Sequence, residues 1–98
     1  MLEKNLNNLF ENVFKKLKKS NSIQKSTKVT DTTIVNGPLS PFDSVSFIEL
    51  TTSLEESIEK LNKKSFHIIL NEIPQFKKGL GIIKIIDLKK YILKKIKK

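Results

Sequence analysis

The chain has 98 residues, no cysteine, no tryptophan, and 19 basic side chains against 10 acids, giving a net charge of +9. That length allows one small domain with a single modest core. The composition excludes disulfides, thiolate metal sites and thiol nucleophiles, and a lone histidine, His67, argues against a metal centre.

Met1-Leu2-Glu3-Lys4 lacks the basic-then-apolar order of a signal peptide. The longest nearly apolar stretch, Gly79 to Ile86, falls far short of the roughly 20 residues of a membrane span. The expectation is a soluble, cytoplasmic, monomeric domain over residues 1–98.

Leu2, Leu6, Leu9, Phe10, Val13, Phe14 and Leu17 recur at three- and four-residue steps, which predicts an amphipathic helix over about 2–19. Lys15, Lys16, Lys18 and Lys19 crowd its last turn, where positive charge complements the helix dipole. Residues 20–42 read as one long loop. Ser20 to Lys28 is polar and aperiodic, and Gly37, Pro38 and Pro41 forbid a helix in the stretch from Asp31 to Phe42. Within it Ile34, Val35, Leu39 and Phe42 look like anchors that lay the loop on the core. Connections this long are usually functional or disordered.

The second helix is predicted over about 43–62, with Asp43 as its N-cap. Phe47, Leu50, Leu54, Ile58 and Leu61 make its inward stripe. Val45, Glu49, Thr52, Glu56 and Glu59 lie opposite at 100° per residue, a predicted solvated face. Five acids and no lysine lie between Asp43 and Glu59, so this segment carries −5 and the rest of the chain +14.

Ser65 to Leu70 reads as an extended connection, and Asn71 to Lys78 as a turn of helix broken at Pro74. His67 within the connection is expected to be exposed or half-buried. A last helix over about 84–97 follows from Ile85, Leu88, Ile92 and Ile96, supported by Ile86 and Leu93, with Lys89, Lys90, Lys94, Lys95, Lys97 and Lys98 on its other face. The fold class expected is all-α: a small bundle of three main helices, a short additional helix within 63–83, and a long first loop.

All the basic residues are lysine, whereas base and phosphate readers lean on the arginine fork. With no alanine and much Lys, Ile and Asn, the excess reads as drift toward A- and T-rich codons. The competing class is a basic helical module for nucleic acid or an anionic membrane, resting on Lys89 to Lys98. Catalysis is not indicated. Ser44 has no convincing histidine partner, and glycine-rich phosphate loops are absent. Ser44 does follow the N-cap, where backbone N–H groups and the helix dipole favour an attached anion.

Asp43-Ser44-Val45-Ser46-Phe47-Ile48-Glu49-Leu50, continued by Leu54-Glu55-Glu56 and Ile58, resembles the second helix of acyl carrier proteins, with their Asp-Ser-Leu, hydrophobic-Glu-Leu and Leu-Glu-Glu elements. The match extends outward. Asp31-Thr32-Thr33-Ile34 precedes Gly37, Phe66-His67-Ile68 resembles the Phe-x-Ile after the second helix, and Lys84-Ile85-Ile86-Asp87-Leu88 with Tyr91-Ile92 resembles the closing helix. The resemblance covers nearly the whole chain in the correct order.

It implies an acyl-carrier-like bundle that is not an enzyme, with 4′-phosphopantetheine from coenzyme A attached at Ser44 and acyl or aminoacyl cargo held as a thioester. Asp43 would serve as N-cap and in recognition by the phosphopantetheinyl transferase. Val45, Glu49, Thr52 and Glu56 would meet that enzyme and those that load and transfer the cargo. The departures are the basic charge, Val45 for leucine, Ser46 for an acid, Thr52 for a larger apolar residue, Lys84 for a capping threonine and Pro41 for glycine. They suggest a divergent carrier in a specialised pathway, or a carrier-like docking domain that stays unmodified.

Overall fold

The periodicity of the first residues is realised as a helix, α1, Glu3–Lys19, which lays Leu6, Leu9, Phe10, Val13 and Leu17 into the core. The computed structural model describes residues 3–21, 23–26, 28–36, 40, 42–74 and 82–96. Leu2, Leu39, the glycines, the prolines at 38 and 41, residues 75–78 of the predicted turn at 71–78, and Lys97 and Lys98 lie outside them. The end of α1 is closed by the Ser20 hydroxyl, which donates to the Leu17 carbonyl, and by Asn21 at a φ of 63°. That left-handed conformation is one asparagine tolerates better than most residues.

The long loop has more structure than its sequence implies. Ile23, inside its polar stretch, is only 4% exposed. Thr30 and Thr33 close a turn on each other, the Thr30 N–H donating to the Thr33 hydroxyl and the Thr33 N–H to the Thr30 carbonyl. The chain then forms a strand, β1, Ile34–Asn36, paired antiparallel with β2, Ile83–Lys84, with Ile34 opposite Lys84 and Asn36 opposite Ile83 across an irregular register. The described fold is therefore a mostly helical small domain, with this two-stranded pairing added to it. Strands this short hold too few residues to show an alternation of apolar and polar side chains, so the pattern could not announce them.

The pairing serves the last helix, α3, Ile85–Ile96. Its first N–H groups would otherwise lack partners. Those of Ile85 and Ile86 donate to the carbonyls of Thr33 and Asp31, each at 2.9 Å, and the Asp87 carboxylate accepts the N–H of Lys84. Lys84 carries no capping hydroxyl; carbonyls of the long loop cap the helix start instead.

The middle helix, α2, Ser44–Asn62, buries Leu50, Leu54 and Ile58 completely and packs against α1, in one core that also holds Ile85, Leu88, Tyr91 and Ile92 of α3. Val35 and Phe42 anchor the loop to this core as expected, while Ile34 is half-buried. Leu61 does not join the inward stripe and is 60% exposed. That helix ends at Lys63, whose φ of 57° turns the chain and whose N–H donates to the Glu59 carbonyl. Residues 65–69 run extended into a 3₁₀ turn, Leu70–Glu72.

Candidate functional site

The start of α2 is built by two side chains. Asp43 holds extended backbone angles, and its Oδ1 accepts the Ser46 N–H at 2.7 Å. In return the Ser46 hydroxyl accepts the Asp43 N–H at 2.9 Å, completing a reciprocal capping box with serine in place of the usual acid. Ser46 is 2% exposed. The backbone N–H of Ser46, then its hydroxyl, hold the Asp43 carboxyl below the usual aspartate range. An aspartate locked as the charged cap fixes where the helix begins, and so places Ser44 at its first position.

The other residues singled out from the sequence share one side of this helix. At 100° per residue Val45, Glu49, Thr52 and Glu56 fall within an arc of about 60°. Val45 is 66% exposed, Thr52 and Glu56 are exposed, and Glu49 is half-buried. Ile48, quoted in the motif but not assigned to this face by the sequence, borders them at 61% exposure. Its signal was an aliphatic residue lying off the inward stripe. Ser46 was legible too, as a hydroxyl three residues after a cap.

Two of the acids do not belong to a solvated face. Glu59 is half-buried, and its Oε1 accepts the Phe66 N–H at 3.0 Å; the Oε2 of Glu55 accepts the Ile68 N–H at 2.6 Å. Both carboxylates turn toward the extended segment that follows α2, whose backbone has no strand beside it among the described residues. Two lysines of α3 are likewise engaged. Lys89 pairs with Asp31 at 2.6 Å and lies over the Phe10 ring, and Lys95 pairs with Glu72 at 2.8 Å and donates to the His67 carbonyl. His67 itself is exposed on the extended segment.

A cleft of about 260 Å³ lies between α1 and α3 around Phe10, Phe14, Ile85 and Lys89. A wider one of about 510 Å³ lies beyond the end of α2, lined by Asn62, Phe66, His67 and Lys95 among others. Neither includes a residue of the first turns of α2. No cluster of His, Cys, Asp or Glu suited to a metal ion occurs among the described residues, and no described helix is long and apolar enough to cross a membrane.

No protein-family model, curated protein or solved structure matches the chain. The residues at the start of α2 do fit an attached phosphopantetheine. Ser44 offers a hydroxyl-bearing residue at the first helical position, the helix dipole there favours a phosphodiester, and Val45 and Ile48 expose apolar surface close by.

Proposed function

We propose that this chain is a carrier protein, in which Ser44 is the attachment point of 4′-phosphopantetheine transferred from coenzyme A. The observation that carries the reading is the capped start of α2. A charged, hydrogen-bonded Asp43 sets Ser44 at the head of the helix, with exposed Val45, Ile48, Thr52 and Glu56 along the face beside it. The mostly helical fold is compatible with that role.

When bound, the group supplies a terminal thiol that takes acyl or aminoacyl cargo as a thioester. The chain's own residues hold the attachment site still and present it. Asp43 and Ser46 satisfy each other's backbone N–H groups, so the helix start does not fray. Val45, Thr52 and Glu56 give the transferase and the loading and transferring enzymes a surface to meet. Covalent tethering then raises the local concentration of cargo at a docked enzyme without tight binding.

The test is intact mass after coexpression with a broad-specificity phosphopantetheinyl transferase. The wild-type chain is expected to gain one phosphopantetheine and one titratable thiol, against none in the cysteine-free polypeptide. Ser44→Ala is expected to stay at its original mass. A wild-type chain left unmodified by several such enzymes would overturn the carrier reading.

A further inference from the structure

Three of the acids in and capping α2 are tied to backbone N–H groups. Glu55 and Glu59 spend their carboxylates on the N–H groups of Ile68 and Phe66, and Asp43 on that of Ser46. The outward stripe of the helix therefore changes character along its length. It begins with Val45 and Ile48, each more than 60% exposed, passes half-buried Glu49 and exposed Thr52 and Glu56, and reaches exposed Lys60, with Lys63 and Lys64 exposed just past the end of the helix. At 1.5 Å of rise per residue, Lys60 stands about 22 Å along the axis from Val45. Beyond the segment from Asp43 to Glu59 the chain carries +14.

On the carrier reading of Ser44, we propose that this face docks an enzyme with an acidic surface. The enzyme would offer an apolar depression to Val45 and Ile48, and carboxylates about 22 Å away facing Lys60, Lys63 and Lys64. Charge complementarity selects this occupant. A protein approaching from solution meets the field of the whole molecule first, and that field is positive. A basic partner is repelled before it reaches Glu56, whereas an acidic one is steered in. Within contact range the head of the stripe offers aliphatic surface, so the contact there is apolar rather than ionic. Salt screens the steering over about 8 Å at physiological strength and leaves the apolar contact intact.

The experiment uses the full chain and two broad-specificity phosphopantetheinyl transferases, one acidic and one basic in net charge. For each, kcat/KM for modification is measured at low and high salt, so every enzyme is compared with itself. With the acidic enzyme kcat/KM is expected to fall about tenfold as salt rises; with the basic enzyme it should hold or rise. Replacing Lys60, Lys63 and Lys64 by glutamine should reduce the acidic enzyme's salt dependence measurably. Val45→Ser with Ile48→Ser should lower kcat/KM for both enzymes at both salt concentrations, with helical circular dichroism retained. The proposal is overturned if the basic enzyme is the one slowed by salt, or if the lysine replacements change neither enzyme. Modification by neither enzyme would overturn the carrier reading, and this inference with it.

Discussion

Tyr91 is 8% exposed, and its hydroxyl is used three times: it accepts the Ile69 N–H and the Lys95 ammonium, each at 3.1 Å, and donates to the Glu72 carboxylate at 2.7 Å. Lys95, one turn further along α3, donates to both Glu72 and Tyr91. Burial, then the bond to Glu72, hold the tyrosine above its ordinary value of 10.0. For Lys95 burial works downward, and the hydrogen bonds to Glu72 and Tyr91 outweigh it, so its pKa lies above the ordinary 10.5. Both groups are raised on folding, so their stabilisation is complete below about pH 10 and is lost as pH rises through the folded values. Melting temperature followed by circular dichroism should accordingly be level from neutral pH to about 9.5 and fall above 10. Tyr91→Phe should cost about 1 kcal/mol at neutral pH, because the Ile69 N–H loses its acceptor, and should make the alkaline fall shallower. An equally steep fall in this variant would place the alkaline sensitivity elsewhere.

At the scale of elements, α2 does the work of a missing strand. Glu55 and Glu59 are one turn apart, about 6 Å along the axis. Phe66 and Ile68 are two residues apart in an extended segment, about 6.6 Å. The two spacings nearly match, and the segment runs back along the helix, so Glu59 meets Phe66 and Glu55 meets Ile68. Composition reads Ser65 to Leu70 as an extended connection, whereas the structure takes Leu70 into the 3₁₀ turn, and the partner of the segment was not legible. Helical periodicity gives the angle at which Glu59 leaves the axis, not what lies across from it. Glu55→Ala and Glu59→Ala should each destabilise by about 1 kcal/mol in urea unfolding. The double variant should cost less than the sum, since either loss releases the same segment. Full additivity would mean that the two bonds hold independently.

Over the whole molecule lysine dominates. Net charge is +9, and two ion pairs, Lys89 with Asp31 and Lys95 with Glu72, are formed among the described residues. Pairs reaching solvent contribute about 0–1 kcal/mol each, which does not offset the mutual repulsion of the remaining lysines. Salt should therefore stabilise the fold. Raising ionic strength from low to physiological is expected to raise the melting temperature by a few degrees, about the shift that 0.5–1 kcal/mol produces in a domain this size. A melting temperature that fell with salt would show that the ion pairs outweigh the repulsion.

The three helices were determined by the sequence itself, because the three- and four-residue recurrence of apolar side chains is a local property that survives any packing. The Asp43–Ser44 start of the candidate site was legible for the same reason: a cap acts on the backbone three residues away. Tertiary structure alone decided the pairing of β1 with β2, the burial of Ile23, the exposure of Leu61, and the inward turn of Glu55 and Glu59. Each of these depends on what stands opposite a residue in space. A carboxylate aimed at a distant backbone N–H and one aimed at water are the same letter in the chain.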